Sequence, residues 1–205
     1  MTLSVATVTV GMLEVNCYVV WRGAGGPAVI IDPGADAEAV LHAVRARALR
    51  PAAVLLTHAH VDHIGGVPGI VAATDIPVFV HAADRELYAD PDNALRPWLP
   101  PVGNLPEPVA APPSVDGLDY TVVPAPGHTP GGACYYFPDD AALFAGDTLF
   151  QGSVGRTDLA GGDTAALMAT LRERILTLPD ATRVFPGHGP PTTVGAERAT
   201  NPYLQ

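Results

Sequence analysis

Three histidines and an aspartate fall within six residues, His58-Ala59-His60-Val61-Asp62-His63, directly after Thr57. Protonated imidazoles this close repel one another, and neutral ones leave several nitrogens that need partners. A divalent cation meets both needs. On an extended segment His58 and His60 project to the same side, while Asp62 and His63 fall where the chain turns and face a second position. One ion cannot take all four side chains and keep an open coordination place for chemistry. The local spacing therefore points to two ions.

Three later residues share one style. His128 stands in Pro126-Gly127-His128-Thr129-Pro130-Gly131, Asp147 in Ala145-Gly146-Asp147-Thr148, and His188 in Pro186-Gly187-His188-Gly189-Pro190. Each is a metal-competent side chain on a turn fixed by Gly or Pro after a strand-like run. Rigid turns suit ligands, because a metal needs its donors held to within about 0.5 Å. The other candidates read more plainly. His42 lies on a predicted helix surface, and His81 ends a strand in a structural role. Asp32 on its turn is placed to orient a ligand histidine. Cys17 and Cys134 sit in separate apolar runs and read as buried, inert thiols.

These residues need elements that carry them to one place. Val5–Val10, Cys17–Arg22 and Ala28–Asp32 read as strands. Ala37–Leu49 has apolar positions near helical spacing, with Pro51 as its stop. Val54-Leu55-Leu56 is wholly apolar, as in a buried strand, and Val78–Val80 is another. Residues 91–113 hold eight prolines in 23 positions, so regular structure is not expected there and the segment is a candidate active-site cover. Beyond it, Tyr120–Val123, Ala133–Phe137, Ala141–Phe144 and Val184-Phe185 read as strands. Asp163–Leu176 reads as a helix with Asp163 as its cap. The second half could echo the first, although no sequence repeat joins them.

Composition narrows the function. With 205 residues, 48% hydrophobic and 16% charged, the chain reads as a single globular domain over 1–205. The formal charge is −10, and all eleven basic residues are Arg. A polyanion partner is disfavoured, so no nucleic acid is expected. No apolar run approaches the ~18–20 residues that span a bilayer, and no leader pattern opens the chain, so a cytoplasmic protein is expected. The oligomeric state is not legible.

The pattern Thr-His-x-His-x-Asp-His, with later Gly-His, Gly-Asp and Gly-His turns, resembles the metallo-β-lactamase superfamily. Asp32-Pro33-Gly34 is similar to that superfamily's early turn. The stretch from Gly155-Arg156-Thr157-Asp158 through His188 to Asn201-Pro202-Tyr203-Leu204-Gln205 is similar to short single-domain bacterial glyoxalase II-like hydrolases. The resemblance implies an α/β fold, a four-layer αβ/βα sandwich. It implies that His58, His60 and His128 hold one metal, and that Asp62, His63 and His188 hold a second. It further implies that Asp147 bridges them and that Asp62 and Asp147 are the catalytic carboxylates. The ions are expected to be zinc, with Fe or Mn fitting the same donors.

The implied reaction is hydrolysis of a small-molecule thioester of the hydroxyacylglutathione type by a metal-bridging hydroxide, whose pKa falls from ~15.7 toward ~7. A thiol leaves as thiolate without a general acid, since its pKa is about 8.5. Arg156 stands at the basic position that contacts substrate in glyoxalase II-like proteins, but Asp158 stands where they carry an aromatic, and Gly189-Pro190 replace their Glu-Tyr. The alternatives are a mononuclear Fe(II) persulfide dioxygenase and a lactonase using the same metal site. A β-lactamase is disfavoured, because those enzymes lack an acid in the Asp147 position.

Overall fold

Strand formation in the first part follows its β-branched and aromatic content. The computed structural model describes residues 1–205, which group into two compact units, Met1–Asp119 and Tyr120–Gln205. In the first unit β1 (Leu3–Val10), β2 (Val15–Arg22), β3 (Pro27–Ile31), β4 (Arg50–Leu55) and β5 (Val78–Phe79) form one sheet in sequence order. β1 mixes buried, half-buried and exposed positions, whereas β2 up to Val20, β3 from Ala28 and the end of β4 are buried. β1–β2 and β2–β3 are antiparallel; β3–β4 and β4–β5 are parallel. Helices α1 (Ala37–Arg45), α2 (Val61–Ile64), α3 (Val67–Thr74) and α4 (Arg85–Ala89) fill the connections. Val40, Leu41 and Val44 of α1 and Val67 and Ile70 of α3 join Val19, Ile30 and Val54 in one apolar core.

Pro51 behaves differently from its sequence reading as a helix stop. The helix ends at Arg45, where Leu49 N–H reaches back to the Val44 carbonyl (3.1 Å) and Ala48 turns left-handed at φ +52°, closing the last turn as a Schellman-type cap does. Pro51 lies inside β4, opposite Ala28, where the register slips between Ala28 and Val29. A bulge is where a strand tolerates a residue without an N–H.

The Pro-rich segment 91–113 is irregular apart from a bridge between Leu95 and Leu99, and it is tied down. Val109 N–H donates to Val78 O (2.8 Å), Tyr88 Oη to Pro106 O (3.0 Å), and Arg85 to the carbonyls of Pro108 and Val109. Val102 and Leu105 pack against the core of this unit.

The second unit repeats the strand logic. β6 (Thr121–Pro124), β7 (Ala133–Phe137) and β8 (Ala142–Gly146) are joined antiparallel, a short β9–β10 hairpin (Leu149–Phe150, Ser153–Val154) follows, and β11 (Arg183–Pro186) runs parallel to β8 with β12 (Thr192–Thr193) outside it. The sheet order is β12-β11-β8-β7-β6. α5 (Thr164–Thr170) is capped by the Asp163 carboxylate on Ala166 N–H (3.0 Å), and α6 (Val194–Thr200) closes the chain. Each unit thus contains the series antiparallel, antiparallel, parallel. Asp32 follows the third strand of the first series and Asp147 the third of the second; the His58–His63 segment and His188 follow the fourth strands. Ends of parallel strands are where α/β sheets place their ligands.

Candidate metal-ligand clusters

In the first unit, buried β4 delivers Thr57, His58, Ala59 and His60 in extended form, and α2 then turns Asp62 and His63 inward. Asp32 organises this turn. Its Oδ1 accepts from Thr57 N–H (2.7 Å), and its Oδ2 accepts from the Thr57 hydroxyl (2.5 Å) and from His63 Nδ1 (3.0 Å). A carboxylate only accepts, so the His63 proton lies on Nδ1 and the lone pair on Nε2. Thr57 has spent its single proton on Asp32. It can only accept from His58 Nδ1 at 3.1 Å, which places the His58 lone pair on Nε2 as well. Both Nε2 atoms are sealed from solvent, and the His58 ring lies 4.8 Å from that of His60 and 4.0 Å from that of His63. Asp32 also has an oxygen within metal-sharing range of His58 and His63, but its oxygens are taken by three hydrogen bonds, which makes it an orienting group.

Two contacts at this turn leave no trace in the sequence. The fully buried Asp84 accepts from Ala59 N–H (3.0 Å), and Asn93 Nδ2 donates to Ala59 C=O (2.7 Å). The residue between the two histidines is therefore held on both sides. Gly34 meets the same turn so closely that a Cβ on it would lie 1.8 Å from Asp62 O.

In the second unit, His128 donates from Nδ1 to the Arg156 carbonyl (2.8 Å), which leaves the lone pair on Nε2. That Nε2 lies 3.7 Å from Asp147 Oδ2, and His188 Nε2 lies 3.6 Å from the same oxygen. In the first unit His63 Nε2 lies 3.8 Å from Asp62 Oδ2. A charge-assisted N–H···O bond would be ~2.7–2.9 Å. Two donors about 2.1 Å from a shared cation at a tetrahedral angle stand about 3.4 Å apart. Three separations near that value between imidazole nitrogens and carboxylate oxygens, two of them at histidines held in the metal-binding tautomer, fit divalent-metal ligation better than hydrogen bonding. Gly187 N–H to Gly146 O (2.8 Å) ties the His188 turn to the Asp147 turn. Gly155 supplies close packing here, since a Cβ on it would lie 1.9 Å from Asp147 O.

The remaining sequence candidates fall as follows. The Arg156 guanidinium is more than half exposed and holds Asp158 through Nε–Oδ1 (2.7 Å) and Nη2–Oδ2 (2.8 Å). This pair lowers the Asp158 carboxyl to about 2 and raises the Arg156 guanidinium. Phe150 lies with its ring 6.4 Å from that of His188. His81 caps a short helical turn by accepting from Ala83 N–H (3.4 Å), and His42 is exposed on α1. Both cysteines are buried and unpaired by disulfide; burial pushes the Cys17 thiol well up, with Asp32 adding to the shift. No helix is long and apolar enough to cross a membrane.

A model of the Metallo-beta-lactamase superfamily matches residues 10–188, a span that includes every candidate ligand of both units. A hydroxyacylglutathione hydrolase, GloC of Haemophilus influenzae, is 32% identical over 209 residues, covering 98% of each chain. Among solved structures, BLEG-1, a B3 metallo-beta-lactamase, superposes with a TM-score of 0.91 at 38% identity, over 98% of this chain and all of that one. TTHA1623, solved in a di-iron-bound form, gives 0.86 at 46% identity, over 97% and 100%. The fold is the α/β metallo-β-lactamase fold that the motifs imply, and the chain belongs to the metallo-β-lactamase superfamily of metallo-hydrolases.

Proposed function

We propose that the two clusters act together as one dinuclear centre that hydrolyses a small-molecule thioester of the hydroxyacylglutathione type, with residues 1–205 working as one catalytic domain. His58, His60 and His128 would hold one divalent ion, Asp62, His63 and His188 the other, and Asp147 would serve both. The observation that carries this reading is the Asp147 carboxylate, with the Nε2 atoms of His128 and His188 at 3.7 and 3.6 Å from one oxygen. Such ions, expected to be zinc, supply an ionised water at neutral pH and an electrophile for the substrate carbonyl. The di-iron form of TTHA1623 makes iron the second choice.

The chain's own part is to keep protons where they do no harm. Asp32 and Thr57 hold the protons of His63 and His58 on Nδ1, and the Arg156 carbonyl does the same for His128. Each of these three imidazoles has its single proton engaged at Nδ1, so none presents one to a leaving group. That favours a substrate whose leaving group departs unaided, as a thiolate does with a pKa near ~8.5, over an amide. The similarity to GloC supports the same choice, and Arg156 remains the candidate contact for a substrate carboxylate, with Asp158 as its competitor. The test is a hydrolysis panel on lactoyl thioesters of several thiols, a lactone and a β-lactam, run with metal content measured. Thioester turnover that rises with two equivalents of metal supports the reading. Turnover of the lactone or β-lactam alone, or of none with metal bound, overturns it.

A further inference from the structure

The tail carrying Asn201-Pro202-Tyr203 has no part in the proposed reaction, yet it contains the second unit's most enclosed acid. Glu197, on α6, is 2% exposed. Its Oε1 accepts from the Thr192 hydroxyl (2.6 Å), and its Oε2 accepts from Gly152 N–H (2.8 Å) and from Asn201 Nδ2 (2.8 Å). Asn201 Nδ2 also donates to Ser153 C=O (3.0 Å), and its side chain is fully buried. Burying a carboxylate is costly unless its lone pairs are filled, and an apolar side chain would close a small core with less risk. Apart from Asn201, which follows Glu197 on the same tail, the donors that fill this one come from two other segments. Gly152 and Ser153 form the tip of the β9–β10 hairpin, which lies between Asp147 and Arg156. Thr192 opens β12 just after the His188 turn.

We propose that Glu197, assisted by Asn201, is a positioning residue that sets the Asp147–His128–His188 geometry by tethering both ligand-bearing segments. The path through the hairpin is continuous. Val154 pairs with Leu149, Gly155 N–H bonds Thr148 O (3.3 Å), and the next residue, Arg156, offers the carbonyl that fixes the His128 tautomer. The path through Thr192 runs by its pairing with Val184 on β11, the strand that ends at the His188 turn. This inference rests on the metal-centre reading for its purpose, but the geometry itself can be tested in metal-free protein.

Glu197→Leu keeps much of the bulk of the side chain and leaves the Gly152, Asn201 and Thr192 donors without their acceptor. The experiment compares it with wild type by three measurements: thermal unfolding, Zn²⁺ affinity against a chromophoric chelator, and the His128 Nδ1–H signal in ¹H–¹⁵N spectra of the metal-free chain. The expected result is a folded variant with Zn²⁺ affinity about tenfold weaker, as for other groups that orient ligands, and a broadened or lost His128 Nδ1–H signal. Thr192→Val cuts only the other tether, and is expected to weaken Zn²⁺ binding while leaving that signal in place. Asn201→Ala removes one of three bonds on Glu197 and the tie to Ser153, and carries the same readouts if Glu197→Leu does not fold. A variant with lowered Tm but wild-type Zn²⁺ affinity and His128 signal makes Glu197 a packing residue and overturns the proposal. Wild-type protein that binds no Zn²⁺ overturns the metal-centre reading instead, and the His128 signal then decides the tether alone.

Discussion

Asp32 Oδ2 lies 3.0 Å from His63 Nδ1 and 2.5 Å from the Thr57 hydroxyl. Because Thr57 in turn faces His58 Nδ1, one buried carboxylate fixes the proton position on two imidazoles. Asp32→Asn keeps the volume but brings an amide N–H toward His63 Nδ1, which drives the proton to Nε2. Expected outcome: divalent metal affinity falls about 10–100-fold, checked by chelator competition, with the His63 tautomer change visible by ¹⁵N NMR.

Asp84 tests whether the backbone between the two histidines must be held. Asp84→Ala removes the acceptor of the buried Ala59 N–H, which costs about 1–3 kcal/mol, or roughly 2–4 °C in Tm for each kcal/mol in a chain this long. Differential scanning calorimetry of metal-free protein checks it, and Asn93→Ala, which cuts the bond on the opposite side, is expected to act in the same direction.

Asp147→Ala should separate the metal from the fold. The side chain is partly buried between His128 and His188 and carries no core packing, so circular dichroism is expected to match wild type. Metal content and the proposed hydrolase activity are expected to fall together, activity by more than about 100-fold if Asp147 serves both ions as proposed, since a shared ligand matters more than an orienting group. Wild-type turnover in this variant would refute the shared role.

Asp158 gives a pH signature. Its hydrogen bonds from Arg156 lower the carboxyl to about 2 in the folded chain, below the ordinary value of about 4. A depressed carboxyl favours the folded state above the unfolded pKa, and that preference disappears as pH falls through the folded one. Both groups are exposed, so the stability change is small. The clean readout is the carboxyl titration by NMR, near 2 in wild type and raised in Arg156→Ala, where the backbone hydrogen bond at Asp158 still holds it down in part.

The two thiols give a folding probe. Cys17 and Cys134 are buried, and burial holds the Cys17 thiol in its protonated form. A thiol raised above its unfolded pKa favours the native state below that unfolded value, and the preference is lost as pH climbs toward the folded one. At pH 8 an aromatic disulfide reagent is expected to leave both unreacted in native protein and to titrate both in denaturant.

Local chemistry was legible in the sequence, and long-range clasps were not. His58 to His63 advertise themselves by density, and Gly127-His128, Gly146-Asp147 and Gly187-His188 by the turns that fix them. β7 lies where its apolar run placed it, and Asp163 caps α5 as its position predicts. Pro51 misled because a proline after a helical pattern reads as a stop, whereas a bulge in β4 accommodates it opposite Ala28. Asp84, Asn93 and Glu197 were invisible for one common reason: each bonds a backbone group, at Ala59 or Gly152, whose identity says nothing about its partner. Asp32 orients a candidate ligand histidine, His63, as its turn position led one to expect, but its hold on Thr57, 25 residues away, appears only when β3 and β4 pair. The ion pair of Arg156 with Asp158, by contrast, joins residues only two apart.

Gly34 and Gly155 each press against the backbone of an acid, Asp62 in one half of the chain and Asp147 in the other, with room for nothing larger than hydrogen. One added carbon at either place would be felt first at the neighbouring carboxylate. Substituting either glycine would therefore disturb the proposed metal centre through its backbone, with every candidate ligand side chain left in the sequence.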